Sequence, residues 1–141
     1  MPYATIAQLE DERIARASLE QAADATAGSA DYDARVNAAL EWASAQIDSY
    51  AVGRYAVPLQ PSVTVRGLAM DMAVYRLQMR HSVIRDNDKA GYENALKFLR
   101  DLSAGKVSLD QPAGEDAQTV TGGAVATEIP LVFSDDNLSD F

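Results

Sequence analysis

The chain has no cysteine, one histidine, one tryptophan and no basic residue after Lys106. Without cysteine there is no disulfide, no thiolate metal site and no thiol nucleophile, so stability rests on packing. His81 is the sole imidazole, and no Gly-x-Ser-x-Gly elbow exists from which a Ser-His-Asp arrangement would be built. The zinc-binding His-Glu-x-x-His, the phosphate-cradling Gly-x-x-x-x-Gly-Lys-[Ser/Thr] and the dinucleotide Gly-x-Gly-x-x-Gly are also missing. No apolar run approaches the roughly 18 to 20 residues of a membrane span. Met1-Pro2-Tyr3 does not open the basic-then-apolar plan of a signal peptide. These absences predict a soluble protein made in a cytoplasm, with no catalytic residues, no cofactor, no metal and no membrane partner.

What charge there is lies unevenly. From Met1 to Lys106, 14 acids face 12 bases, whereas from Val107 to Phe141 there are seven acids (Asp110, Glu115, Asp116, Glu128, Asp135, Asp136, Asp140) and no base. Asp135, Asp136 and Asp140 lack the glycine and distal glutamate of a calcium loop and read as a solvated acidic tail. Such a segment repels phosphate and favours a basic protein surface. Arg76, Arg80 and Arg85 make a local basic strip, but an acidic chain without a docking motif is not read as a specific nucleic-acid binder.

At 141 residues with 48% apolar content, the chain suits one body and a tail. The pattern predicts an all-α bundle of about four helices over residues 1–109 and an extended acidic arm over 110–141. Thr5 and Gln8 form a capping box for a first short helix whose apolar face is Ile6, Leu9 and Ile14, and residues 23–30 read as a loop. Asp31 reads as the cap of a second helix, with Val36, Leu40, Ala43, Ile47 and Tyr50 on its stripe. Val57-Pro58-Leu59-Gln60-Pro61 leaves the helical region. Ser62 then caps a third helix carrying two stripes, Val65-Leu68-Met72-Tyr75-Met79 and Met70-Val74-Leu77, which implies a central position. A fourth begins near Asp86, buries Tyr92, Ala95, Leu96, Leu99 and Leu102, and ends at Gly105. In the tail, Thr119 to Val125 suggests a weak hairpin, and Ile129 to Phe133 with Phe141 supplies apolar anchors.

Two groups of residues stand out from this pattern. Asp48, Arg54 and Asp71 lie within or beside strongly apolar helices, where charges are seldom left unpaired, and predict a structural ion-pair network joining the second and third helices. Trp42 lies off its helix's stripe, so either that helix is buried on two sides or Trp42 is an interface residue.

Several blocks then line up in order. Tyr3-Ala4-Thr5, Ile47-Asp48-Ser49-Tyr50, Arg54-Tyr55-Ala56-Val57-Pro58-Leu59 and Leu68 to Leu77 are followed by Tyr92, Ala95 to Leu99, and Gly105-Lys106-Val107-Ser108-Leu109. Together with Val132-Phe133-Ser134-Asp135-Asp136-Asn137-Leu138 and the terminal Phe141, they resemble the head-to-tail joining protein family of Mu-like phages and prophages along nearly the whole chain. Ala51 stands where a larger aliphatic residue is common, and Asp135 where the chain end is often basic. The resemblance implies a head-tail connector adaptor, synthesised in a bacterial host and located in the virion neck. It implies a ring of about twelve copies under the portal, with neighbouring copies, the portal protein and a downstream stopper or tail-completion protein as partners. DNA would pass through the ring without specific binding, as phosphate slides past an acidic wall. An arm that orders on assembly would use Phe133, Leu138 and Phe141 as anchors. Competing expectations are another neck subunit, a stopper or tail-completion protein, for which a β-rich fold is expected; a helical regulatory module that binds a basic protein; and an enzyme, for which no residue suggests a substrate.

Overall fold

The computed structural model describes residues 2–81 and 84–114. Five helices follow one another: α1 (Ile6–Glu12), α2 (Arg16–Ala23), α3 (Ala30–Ala51), α4 (Val63–Gln78) and α5 (Asp86–Ser103). The all-α expectation holds. The whole of the expected arm from residue 115, with the Thr119 to Val125 hairpin and the anchors Phe133, Leu138 and Phe141, lies outside the described residues.

The first helix divides in two, which makes five helices rather than about four. Leu9, Ile14 and Leu19 recur every five residues, a spacing that rotates them off a single face of a continuous helix. Breaking the helix at Arg13 to Ala15 turns all three inward, and each is buried. Asp11 and Glu12 at the C-terminal end of α1 oppose its dipole and favour the stop. The Thr5–Gln8 capping box forms in both directions, at 3.0 and 3.2 Å. Asp24, in the left-handed region, ends α2, and Arg35 Nη1 donates to the Ala23 and Asp24 carbonyls there.

The cap of α3 is Ser29, whose hydroxyl accepts from the Tyr32 amide, rather than Asp31. Asp31 instead joins Asp33 in the first turn, where carboxylates complement the positive end of the helix. Ser62 caps α4 as expected. Helix α4 is central: it touches α2, α3 and α5, and both stripes are buried apart from Met79 and the half-buried Tyr75. Among the described residues no helix is long and apolar enough to cross a membrane.

Glu10, Arg16 and Tyr32 tie α1, α2 and α3 together. The Tyr32 hydroxyl, on a ring buried to 1% exposure, donates to Glu10 at 2.6 Å. Arg16 donates to the other carboxylate oxygen of Glu10 at 2.9 and 3.1 Å. The hydrogen bond from Tyr32, then that from Arg16, holds the Glu10 carboxyl below the usual glutamate range. A depressed native value adds stability above the unfolded glutamate value of about 4.3 and loses it as pH falls through the native one. Tyr32→Phe should therefore destabilise the fold more at pH 7 than at about pH 3. Urea melts of both proteins at the two values check this, and a pH-independent difference would contradict it.

Candidate functional site

Two constellations stand apart from the general packing: a polar clamp at the C-terminal end of α3, and a basic cleft beside Trp42.

The clamp begins with Tyr3. Its backbone N–H donates to the Ser44 hydroxyl at 2.9 Å, and that hydroxyl donates back to the Leu40 carbonyl, so the N-terminal segment is pinned along α3. The Tyr3 hydroxyl donates to Asp48 and accepts from the Leu59 amide at 2.7 Å. Burial, reinforced by the Asp48 carboxylate, pushes the Tyr3 phenol well above its ordinary value, so it remains a donor throughout the physiological range. One hydroxyl thus joins the N-terminal segment, α3 and the α3–α4 connection.

Arg54 extends the clamp to the segment that follows α5. Its Nη1 donates to the carbonyls of Leu102 and Val107 at 2.7 and 2.9 Å, taking up acceptors at the end of α5. Gly105, with φ +82°, makes the left-handed turn that brings residues 106 and 107 back. The Tyr55 hydroxyl accepts from the Leu109 amide, Ala56 N–H donates to Pro112, and Gly114 N–H donates to the Arg54 carbonyl at 3.1 Å. Gln60 and Gln111 exchange two hydrogen bonds beside them. A Cβ at Gly114 would sit 2.9 Å from the Tyr55 carbonyl oxygen, so this approach requires glycine. The contacts of the body therefore run past residue 109 as far as 114.

Asp48, Arg54 and Asp71 do not form the expected common network. Asp48 pairs with Tyr3, Arg54 with backbone carbonyls, and Asp71 with Arg13, whose Nη2 lies 3.2 Å from Oδ2. Each of the three has a hydrogen-bond partner, but among the described residues only Asp71 is in an ion pair. The partners differ because Tyr3 and Arg13 come from segments far away in sequence, and because carbonyls at the end of a helix offer a guanidinium hydrogen-bond acceptors of their own.

The cleft lies between α3 and α4 and has a volume of about 460 Å³. Trp42 is half-buried, packed against the core on one side and lining the cleft on the other. Arg76 places its guanidinium 4.9 Å from the indole centroid, within cation–π range. Arg35 and Arg80 stand at the same cleft, with Ala38, Leu77 and Met79 as its apolar lining. His81, beyond the end of α4, is exposed and places Nε2 3.0 Å from the Ala22 carbonyl, a structural hydrogen bond in the tautomer that carries the proton there. Among the described residues no group of three His, Cys, Asp or Glu side chains is placed to hold a metal ion.

The clamp gathers some of the blocks that carry the resemblance: Tyr3, Asp48, Arg54 to Leu59, and Gly105 to Leu109. The sequence profile of the family Bacteriophage Mu, Gp36 matches residues 3–127. The chain belongs to this family. It is also 37% identical over 90 residues to the Mu-like prophage FluMu protein gp36 of Haemophilus influenzae, an alignment covering 62% of this chain and 60% of that protein. The chain thus matches somewhat less than two thirds of its relative's length.

Within this Gp36-family member, sequence reasoning missed Tyr3 as the hub of the clamp and Gln60–Gln111 as its outer latch. The only signal for Tyr3 was its place in the first block of the resemblance. Arg54→Ala removes two charge-assisted hydrogen bonds and should cost about 2–3 kcal/mol, with Arg54→Lys recovering part of it. The Leu109 and Gly114 amides should then exchange roughly tenfold faster or more, while the α4 amides change less. Exchange mass spectrometry and thermal melts measure both; an unchanged melting temperature would refute the role of Arg54.

Proposed function

We propose that this protein is a structural adaptor of a phage head-to-tail junction: a subunit that forms a ring of about twelve copies beneath the portal, located in the virion neck. It contacts the portal protein, neighbouring copies and a downstream stopper or tail-completion protein. Support comes from membership of a Mu phage family and from a five-helix body without a named strand among the described residues, which weighs against a β-rich stopper.

The observation that carries the reading is the clamp. It fixes the exit of the chain at Gly114, so an acidic segment of 27 residues, 115–141, leaves from one defined point on a rigid body. A segment held at its root can search for a partner surface within a limited volume, which raises its effective concentration there. A purely regulatory binding module has no need for an exit fixed by contacts drawn from both the N-terminal segment and the segment after α5.

Co-sedimentation with the portal ring of the same genome tests the proposal. The full chain should saturate near one copy per portal subunit. A chain cut after Gly114, which keeps every clamp contact, should retain its helical circular dichroism and fail to co-sediment. Absence of binding by the full chain, with retention instead on a basic cellular protein, would overturn the adaptor role in favour of a regulatory module.

A further inference from the structure

The cleft beside Trp42 is anomalous for this chain. The protein carries nine net negative charges, yet three arginines, Arg35, Arg76 and Arg80, converge on one concave site whose lining includes no acid. Arg76 and Arg80 are exposed and form no ion pair among the described residues, whose four pairs lie elsewhere. Arg35 spends one nitrogen on the end of α2 and keeps others available. Beside these cations lie the Trp42 indole and Met79, which is 50% exposed. A site of this composition takes a ligand that is both anionic and apolar, since guanidinium groups recognise carboxylates by paired hydrogen bonds and an indole face takes up apolar or aromatic groups.

The chain contains such a ligand. Phe133-Ser134-Asp135-Asp136-Asn137-Leu138-Ser139-Asp140-Phe141 alternates three acids with three large apolar residues and has no base. The last described residue, Gly114, lies against Tyr55 just beyond the end of α3, and Trp42 sits nine residues before that end, about 14 Å along the helix axis. The 19 residues from 115 to 133 reach up to about 60 Å when extended, so this segment spans the distance with length to spare. Attachment to the same body gives it an effective concentration far above that of a free peptide.

We propose that in the unassembled protein the acidic chain end, residues 133–141, docks into the Trp42 cleft of its own subunit. Arg76 and Arg80 pair with its aspartates, and Trp42 with Met79 receives its phenylalanines. The surface that holds the segment is then the one that must release it before it engages another molecule. This inference does not depend on the position of the protein in the particle.

Trp42 is the only tryptophan, so its fluorescence reports the cleft without a label. Acrylamide quenching of the full chain should be roughly threefold weaker at low ionic strength than at about 0.5 M NaCl, where screening weakens the arginine–aspartate pairs. The D135N/D136N/D140N chain, altered only in the arm, should show the strong quenching at every salt concentration. Arg80→Glu should do the same while keeping the wild-type far-ultraviolet dichroism, and adding Asp136→Lys to it should restore part of the shielding. Equal quenching of wild type and the arm-neutralised chain at low salt would overturn the proposal. So would shielding that grows with protein concentration between about 1 and 100 µM, because the occupant would then be the arm of a second copy. Portal binding is not read in this experiment, so its failure and that of the adaptor role remain separable.

Discussion

Helix α4 has to be covered on two sides, and the rest of the body follows from that. Its buried residues, among them Val65, Leu68, Met70, Met72, Val74 and Leu77, leave it no broad polar face. Exposing even half of those side chains would forfeit several kcal/mol, at about 1.5–3 kcal/mol for each. Helix α3 covers one side and α5 another, while α2 also packs against α4 and α1 packs against α3, with Leu9, Ile14 and Leu19 all buried. With no disulfide available, this enclosure is the principal source of stability.

Helices packed around a central one leave their ends to be dealt with separately, and the polar contacts concentrate there. At the C-terminal end of α3, the Tyr3 hydroxyl and the Arg54 guanidinium gather the first residues of the chain, the α3–α4 connection and the segment after α5 into one place. The acidic residues beyond Gly114 therefore start from a rigid root. The basic cleft faces the groove between α3 and α4, where Trp42 departs from the apolar stripe of its own helix. Charge is thus sorted within one chain: a nearly neutral body carrying a small basic concavity, and a terminal segment with acids alone.

Elements whose signal is local were legible in the sequence. The Thr5–Gln8 capping box, the Ser62 cap, the left-handed Gly105 and the double stripe of α4 each depend on residues within a few positions of one another. The break between α1 and α2 was equally present in the five-residue spacing of Leu9, Ile14 and Leu19, but alanines around it imitate a continuous helix. What sequence could not supply was the identity of long-range partners. Asp48 and Asp71 are on adjacent helices and Arg54 follows the first of them, which made mutual pairing reasonable, yet Tyr3 and Arg13 reach the two aspartates across 45 and 58 positions. Trp42 was recognisable as displaced from its stripe, whereas the arginines around it came into view only once α3 and α4 were set side by side.

A helical body with an anchored, acidic chain end is suited to the proposed place at the junction between phage head and tail. Cryo-electron microscopy of the neck of particles encoded by the same genome tests it most directly. A ring of five-helix subunits is expected directly beneath the portal, each with its Tyr3–Arg54 clamp formed and its terminal segment laid on a neighbouring molecule. A ring at that position built by a different chain, with this protein absent from the particle, would contradict it.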